Sequence, residues 1–360
     1  MTEQQSNTLD GPLLAGVILL FAVSMVVLYS AGGEDTSLLI KQSLRMGLAF
    51  VTMILIAQLS PGTLARWSPY IYAAGLVLLI SVLIVGIVGK GAQRWLNIGL
   101  FRFQPAEIMK LAVPMMVAWL LTRGGLPPRY WRLLAAIGLV AIPTGLVVLQ
   151  PDLGTALLIA FSGVMVIFLA GIRWRDIVIV LGLGAAVAPM LWNYLHEYQR
   201  NRILTLFDPW SDPLGAGYHA IQSIIAVGSG GSTGKGWLNG SQSQLEFIPE
   251  RSTDFVYAVF AEEFGLYGGL FLLAMYGLLV FRGVVIAFYA SDTYSRLLGG
   301  SLALTFFIYV FVNIGMVTGM LPVVGVPLPL ISYGGTSMVT LLAGFGILMA
   351  LNTGRRPLMK

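Results

Sequence analysis

Long apolar stretches separated by polar connections dominate the pattern along the chain. Ten of them approach the roughly 20 residues that a helix needs to cross membrane hydrocarbon, so we predict ten transmembrane helices. The predicted spans are residues 12–31, 39–59, 69–89, 107–121, 133–149, 154–171, 177–195, 254–281, 297–320 and 334–351. An even number of spans places both termini on the same side of the membrane.

Composition excludes a water-soluble globule. Of the 360 residues, 57% are hydrophobic and 10% are charged, and the mean hydropathy is +0.84. The first span follows a leader without Lys or Arg and without a cleavage site, so we expect it to be retained. The chain has no cysteine, which excludes disulfides and thiolate sites. We predict an all-α polytopic membrane protein that forms a single domain over residues 1–360.

One predicted external connection, residues 196–253 between the seventh and eighth spans, is much longer than the others. Its Gly, Ser, Asn and Gln content and its scattered aromatic residues favour partial order, with short helices along the membrane. Within it, GSGGSTGKG (228–236) resembles a phosphate-binding loop but lacks the required Gly and the final Ser or Thr. We therefore interpret that segment as a flexible turn.

The basic residues give a weak signal for sidedness. With the amino terminus in the cytoplasm, eleven of the 21 Lys and Arg residues lie in cytoplasmic segments. Eight of the other ten lie in or beside two external segments, 90–110 and 196–253. Cations on the disfavoured side suggest an anionic ligand there. The alternative, that a long loop is translocated regardless of its charge, stays open.

The segment QLEFIPERSTDFVYAVFAEEFG (244–265) departs most sharply from ordinary membrane sequence, since it holds five of the sixteen acidic residues. A polar loop that includes Arg251 leads into a Ser-Thr-Asp helix start, which places Asp254 at a membrane boundary. Glu262 and Glu263 follow on the same predicted helix, inside the hydrocarbon. Ionisable groups at that depth are functional candidates by default.

A second charged cluster runs from an external loop into the fourth span. Glu107 and Lys110 are three residues apart and share a helix face, so they can pair or present opposite charges to one site. Pro114 removes the helix hydrogen bond to the carbonyl of Lys110, which favours a hydrated cavity over lipid. A salt bridge that only orients helices is the alternative.

Two further segments carry turn chemistry. In QPDLGTAL (150–157), Asp152 is interpreted as a helix cap rather than a catalyst. The segment LPVVGVPLPLISYGGTS (321–337) has three prolines and three glycines, which exclude a continuous helix and predict a loop that lines a cavity. Ser332 in this loop can hydrogen-bond a sugar or a phosphate. Capping of the last helix by its Ser and Thr residues is an equally good alternative.

These motifs resemble the SEDS family (shape, elongation, division and sporulation) over nearly the whole chain. The matching segments include RFQPAEIMK, QPDLGTAL, DPLGAGYH, GKGWLNGSQSQLEFIPERSTDFVYAVFAEEFG and GMLPVVGVPLPLISYGGTS. The VVGVPLPL and SQLEFIPER versions resemble the elongation members more than the division members. Ala106 stands where many relatives have Ser, a small change that leaves the Glu107–Lys110 pair in place.

The resemblance implies a ten-helix peptidoglycan glycosyltransferase that polymerises lipid II during elongation and maintains rod shape. It implies the bacterial cytoplasmic membrane, with both termini cytoplasmic. The implied partners are lipid II, a lipid-linked glycan, a class B penicillin-binding protein with transpeptidase activity and other elongation-complex proteins, without nucleic acid. The family's essential acid maps onto Asp254, and its polar positions in the fourth helix map onto Glu107 and Lys110.

Charge placement and resemblance lead to one mechanistic hypothesis. Asp254 is the general base that deprotonates the acceptor hydroxyl of one lipid II, which attacks the anomeric carbon of the growing glycan and releases undecaprenyl pyrophosphate with inversion. A divalent cation, Mg or Mn, held by Asp254 or Glu262 is left open. The substrate-binding candidates, some of which would stabilise the departing pyrophosphate, are Arg102, Glu107, Lys110, Arg202, Arg251, Glu262 and Ser332.

Two other functions stay open from the residues alone. A lipid II flippase explains intramembrane charges equally well, but it predicts polar residues across the full bilayer thickness, whereas the external half holds most of them. A non-catalytic scaffold for cell-wall enzymes needs no acid at Asp254 beyond helix capping.

Overall fold

The computed structural model describes residues 9–89, 92–97, 102–173, 175–176, 178, 182, 197–213, 215, 217–245 and 247–352. Helices account for most of this part of the chain. In order they are α1 (Gly11–Ala31), α2 (Thr36–Ala57), α3 (Pro61–Val85), α4 (Pro105–Thr122), α5 (Tyr130–Leu149), α6 (Leu153–Leu169), α7 (Glu197–Phe207), α8 (Tyr218–Ser229), α9 (Ser241–Gln244), α10 (Val256–Tyr289), α11 (Thr293–Val317) and α12 (Thr336–Asn352).

The predicted polytopic all-helical architecture is confirmed. Among the described residues, seven helices are long and apolar enough to cross a membrane, namely α1 to α5, α10 and α11. Two further apolar helices, α6 and α12, have 17 residues each. These helices correspond to nine of the ten predicted spans. The tenth, 177–195, lies outside the described residues except for positions 178 and 182.

Polar residues at the helix starts explain several element boundaries, because the first backbone N–H groups of a helix have no partner within it. Asp10 accepts from Leu13 N at 3.1 Å and begins α1. Asp152 accepts from Thr155 N at 3.2 Å and begins α6, which confirms its predicted capping role.

A small antiparallel sheet between α3 and α4 was missed by the apolar pattern. Its strands are β1 (Ile87–Gly89), β2 (Ala92–Asn97) and β3 (Arg102–Phe103), in the order β1-β2-β3. The predicted third span therefore runs too far. The helix ends before Gly86, whose backbone is extended (φ −68°, ψ 151°), and the apolar residues that follow pair as a strand instead.

The helices differ in how far they are enclosed. In α11, 72% of the most apolar window is buried, and in α4 67%, against 22% in α2 and 28% in α3. We conclude that α4 and α11 lie in the centre of the bundle, whereas α2 and α3 present wide faces to lipid. Direct packing of α11 against α4, α6, α10 and α12 agrees with this position.

The helix α10 is interrupted at Gly265, two residues after its acidic pair of Glu262 and Glu263. Gly265 has φ 63° and ψ −161°, a conformation open essentially to glycine alone. The Gly-rich turn after α8 packs into this break, where Lys235 N donates to Glu262 O and Gly236 N to Glu263 O, each at 3.0 Å. The turn predicted from the sequence is present. These hydrogen bonds hold it to α10, so the predicted flexibility is not what the structure shows.

We expect Gly265→Ala to lower the free energy of unfolding by about 1–3 kcal/mol, the cost of one strained backbone residue. A Cβ at this position would also lie 2.3 Å from Gly234 N. The matched control is Gly277→Ala on the same helix, where a Cβ would have no neighbour within 4 Å. Melting temperatures of the purified proteins in one detergent test this, and equal losses in both variants would contradict it.

A candidate active site around Asp254

Asp254 lies in the turn that precedes α10, one residue earlier than the N-cap. The N-cap position belongs to Phe255, which makes no side-chain capping hydrogen bond, and the helix begins at Val256. The turn closes through Glu250 O, which accepts from Thr253 N at 3.0 Å and from Phe255 N at 3.4 Å. Asp254 is half-buried. It does not occupy the N-cap position itself, and helix capping by its carboxylate stays an alternative.

The backbone around Asp254 is held by side chains on both sides. Ser332 Oγ donates to Thr253 O at 2.6 Å and accepts from Leu328 N at 2.8 Å. The amide of Asn313, on α11, donates both to Asp254 O at 2.9 Å and to a carbonyl of the irregular segment before α12. Ser332 thus contacts protein backbone on both sides of its hydroxyl, which favours a role in positioning the turn.

The irregular segment 321–335, called the proline loop below, is anchored by buried side chains. Backbone polar groups inside a membrane bundle need partners from the protein, because lipid offers none. The donors come from α1, α2, α10 and α11: Ser24 Oγ to Ile331 O (2.9 Å), Gln42 Nε2 to Ser332 O (3.3 Å), Tyr276 OH to Pro329 O (2.6 Å) and Asn313 Nδ2 to Val326 O (2.7 Å). The predicted non-helical loop is therefore present and fixed from four helices.

Gly325 of the proline loop lies beside the Asp254 carboxylate. Its φ of +72° favours glycine, and a Cβ at this position would stand 3.4 Å from Asp254 Oδ2. The loop therefore passes the carboxylate with a residue that has no side chain. The space beside the Asp254 carboxylate therefore stays open, whereas a larger residue at position 325 would narrow it.

The predicted ion pair of α4 is present and buried. Lys110 Nζ lies 2.7 Å from Glu107 Oε1, and both side chains are about 5% exposed. Lys110 Nζ also stands 5.1 Å from the ring centroid of Tyr309 on α11. The pair lies at a cavity between α4, α11 and α12, whose polar lining is Lys110, Thr305, Tyr309 and Thr340 and whose other lining is apolar.

One helix connects this cavity to the acid. Tyr309, which contacts Lys110, and Asn313, which holds the backbone of Asp254, are four residues apart on α11 and so lie one turn apart on the same face. The helix α11 thus connects the two clusters predicted from the sequence, one around Lys110 and one around Asp254, although it belongs to neither. Tyr309 and Asn313 are lone polar residues in an apolar span, and that was the sequence signal for both.

The predicted cations occupy different places around the turn. Arg102 lies in β3, and its side chain is outside the described part. Arg202 on α7 lines a pocket formed with α8 and the first residues of the proline loop. Arg251 donates from Nη1 to Ser243 O, and its Nη2 approaches the turn between α1 and α2 at Gly33. The structure does not bring the guanidinium groups of Arg202 and Arg251 together at one point.

Sequence reasoning missed one cation. Arg45 on α2 lies with Cζ 4.5 Å from the ring centroid of Tyr333, a cation–π contact, and Tyr333 N donates to Ser252 O at 2.8 Å. Arg45 is thus connected through Tyr333 to Ser252, which lies two residues before Asp254 in the sequence. The sequence signal for Arg45 was a basic residue inside a predicted span. Counting the basic residues of the loops does not single out such a residue.

His219 on α8 packs against the residue after Asp254. Its ring is stacked on Phe255 with centroids 5.7 Å apart. Burial lowers the pKa of His219, Glu250 raises it and Arg202 lowers it further. The imidazole is thus mainly neutral at pH 7, as suits an aromatic packing partner. Stacking on Phe255 gives His219 a structural role.

Glu262 is completely buried and anchors the long loop. It accepts hydrogen bonds from five donors: Lys235 Nζ (2.7 Å), Gln242 N (3.0 Å), Ser241 Oγ (3.2 Å), Ser243 N (3.2 Å) and Ser229 Oγ (3.4 Å). This placement gives Glu262 a structural role and does not support substrate binding by its side chain. Across the described residues, no group of three or more His, Asp or Glu side chains is arranged to hold a metal ion.

The family model for cell cycle proteins of the FtsW, RodA and SpoVE type matches residues 8–356. The chain belongs to this family, the SEDS proteins. Peptidoglycan glycosyltransferase MrdB of Escherichia coli is 52% identical over 353 residues, covering 98% of this chain and 95% of the relative. Stage V sporulation protein E of Bacillus subtilis is 34% identical, covering 97% and 98%. The SEDS resemblance predicted from the motifs is confirmed.

Solved structures of SEDS proteins have the same fold. One comes from work on the structural coordination of polymerization and crosslinking by a peptidoglycan synthase complex. It superposes with a TM-score of 0.84 at 37% identity, covering 96% of this chain and 98% of the other. The rod shape determining protein RodA of Thermus thermophilus gives a TM-score of 0.73 at 31% identity, covering 97% and 98%. The SEDS fold thus extends over essentially the whole chain.

We expect Glu262→Gln to loosen the segment 230–245, since the neutral amide weakens charge-assisted hydrogen bonds that are worth about 1.5–3 kcal/mol each in other proteins. Hydrogen–deuterium exchange of that segment should become faster, while exchange in α4 should not change. Lys235→Met should follow the same course, whereas Lys235→Arg keeps the ion pair and should resemble the wild type. Unchanged exchange of the segment 230–245 in Glu262→Gln would show that Glu262 does not anchor it.

Proposed function

We propose that the chain polymerises lipid II into glycan strands with Asp254 as its general base. The chain is a SEDS peptidoglycan glycosyltransferase of the elongation type, which maintains rod shape. The observation that carries the proposal for Asp254 is its position: a half-buried carboxylate on a clamped turn beside Gly325, linked through α11 to the buried Lys110 pair. That combination fits a reaction in which a sugar hydroxyl meets a lipid-linked diphosphate at a membrane boundary.

In the proposed step, Asp254 accepts the proton of the acceptor hydroxyl. The hydroxyl oxygen forms the new glycosidic bond at the anomeric carbon of the growing glycan. The bond between that carbon and the pyrophosphate oxygen breaks, and its electron pair leaves with undecaprenyl pyrophosphate. One displacement inverts the centre. A positioned carboxylate base contributes typically about 10² to 10⁴ in rate.

The clamp around the turn supports this role, because a general base acts only at hydrogen-bond distance from its proton. Ser332 and Asn313 hold the carbonyls of Thr253 and Asp254, and the loop that supplies Ser332 is itself anchored from the bundle. The acid is thus carried by a rigid support. Loops without such support position catalytic groups less well.

The leaving diphosphate needs positive charge where its own charge develops. Lys110 is the best supported candidate, since it lies in the cavity connected to Asp254 through α11. Arg202, Arg251 and Arg102 remain candidates, and Arg45 joins them through its contact with Tyr333. The steps above use only side chains of the chain and its two substrates, and a divalent cation, Mg or Mn, held by Asp254 or Glu262 stays a prediction.

The Asp254 end of the bundle is proposed to face outward from the bacterial cytoplasmic membrane, with both termini cytoplasmic. The opposite end carries the described residues Arg66, Arg123, Arg129, Arg132, Arg173, Arg175, Arg282 and Arg296, as the positive-inside rule expects. The proposed partner is a class B penicillin-binding protein, which would crosslink the strands. The structural relative studied as part of a peptidoglycan synthase complex supports this pairing.

We expect Asp254→Asn to lower polymerisation of labelled lipid II at least 10²-fold, because the amide cannot accept the proton. The assay uses the purified chain with its penicillin-binding partner in liposomes. Asp35→Asn is the matched control, since Asp35 is an exposed acid that caps α2 through Ser37 N, and Asn caps equally well. It should retain wild-type activity.

Three outcomes would contradict the proposal. Wild-type polymerisation by Asp254→Asn removes the acid from the mechanism. Transbilayer movement of lipid II without polymer identifies a flippase. Binding to the partner without either activity identifies a scaffold. Melting temperatures of both variants establish that a loss of activity does not reflect unfolding.

A further inference from the structure

The end of the bundle opposite Asp254 carries a compact group of arginines between aromatic rings. Arg123 follows α4, Arg132 lies in the first turn of α5, and Arg173 and Arg175 follow α6. These four residues are called the arginine patch. Nothing in the proposed reaction uses them, since the chemistry lies at the other end of the helices.

Direct contacts connect the members of the patch. Tyr130 OH accepts from Arg173 Nη1 at 3.3 Å and from Arg175 Nη2 at 2.8 Å, so two guanidinium groups converge on one phenol oxygen. Arg132 lies so close to the turn after α4 that a Cβ at Gly124 would overlap its Nη1. The three segments therefore form one surface.

Aromatic rings hold the cations by their faces. Arg123 Cζ stands 3.8 Å from the ring centroid of Trp119, and Arg132 Cζ stands 4.9 Å from that of Trp131. A guanidinium held against a ring face still has N–H groups that can donate to another acceptor. The contacts orient the arginines without consuming their donors.

Little negative charge balances the patch. Within the described part of the chain, one carboxylate lies within ion-pair distance of the four arginines, that of Asp176, 3.8 Å from Arg175 Nε. Converging guanidinium groups repel one another, and an external anion relieves that repulsion. An acceptor with several oxygens would match their forked donors.

The aromatic residues beside the arginine patch indicate the source of that anion. Tyr130 and Trp131 are 55% and 58% exposed at the ends of lipid-facing helices. Amphipathic aromatic residues at such positions lie at the level of the lipid headgroups. The patch is therefore at the depth of membrane phosphates, and its exposed apolar rings border acyl chains.

We propose that the arginine patch is a binding site for the phosphodiester headgroup of an anionic phospholipid. The two forked donors at Tyr130 hold the phosphate oxygens, and Arg123 and Arg132 extend the positive surface beside them. Trp131 and Tyr130 pack against the upper acyl chain. This site is independent of the polymerase mechanism and of the acid at Asp254.

The test is a lipid competition on the full chain purified in a neutral detergent. Phosphatidylglycerol and phosphatidylcholine with identical acyl chains are added in equal amounts, and the retained lipid is counted by native mass spectrometry. The wild type should retain phosphatidylglycerol preferentially. The double variant Arg173→Gln/Arg175→Gln should lose roughly tenfold of that preference, as expected for two basic residues at an anionic surface.

Two further variants separate a built site from general charge. Arg296→Gln removes an exposed arginine of the same end that donates to Ala290 O and belongs to no aromatic cluster, and it should retain the wild-type preference. Arg173→Lys/Arg175→Lys keeps the charge without the fork, and it should retain less phosphatidylglycerol than the wild type.

The proposal is overturned if the wild type does not discriminate between the two lipids, or if the glutamine double variant retains the wild-type preference. It is also overturned if Arg296→Gln loses as much preference, or if soluble glycerol phosphate displaces the lipid at equal concentration. Equal melting temperatures without added lipid establish that the variants are folded.

Discussion

Asn313 donates from one side-chain amide to two carbonyls in the interior of the bundle, those of Asp254 and Val326. An unpaired carbonyl buried away from water costs free energy comparable to a lost hydrogen bond, and in a membrane lipid cannot replace the partner. Asn313 thus provides a hydrogen-bond donor to one carbonyl in each of two irregular segments and fixes the distance between these carbonyls. The turn that carries the acid and the proline loop are both attached to α11 through this amide.

The proline loop explains why so many polar side chains are buried in otherwise apolar helices. A helix satisfies its own backbone, but a segment with three prolines and three glycines cannot. Ser24, Gln42 and Tyr276 each supply a donor to it from a different helix. The cost of burying these polar groups is offset because each is paired, and the result is a loop as fixed as the helices around it.

Local features of the sequence were sufficient for much of the architecture. Nine spans followed from apolar length, the Glu107–Lys110 pair followed from a spacing of three residues on one helix, and the cap at Asp152 followed from its place before a helix. In each case, the interacting groups lie close together along the chain. The resemblance to SEDS proteins supplied the role proposed for Asp254, which spacing alone left open.

Contacts between distant parts of the chain could not be predicted in this way. Ser24 and its acceptor Ile331 are 307 residues apart, and a lone serine in an apolar helix does not indicate its partner. Glu262 was placed in hydrocarbon because its depth was measured along a helix assumed to enter the membrane directly after Asp254. In the structure, the long loop covers the part of the helix before the break at Gly265 and pairs the carboxylate. Such coverage is a tertiary effect with no periodic signature.

The position of Tyr309 and Asn313 on one face of α11 has a pharmacological consequence. Because the two side chains lie one turn apart, a hydrophobic compound that entered the cavity beside Tyr309 and shifted α11 would also shift the amide that holds the backbone of the acid. Inhibition would then be non-competitive towards the sugar, and resistance would arise in the lining of the cavity rather than beside the reacting carbon.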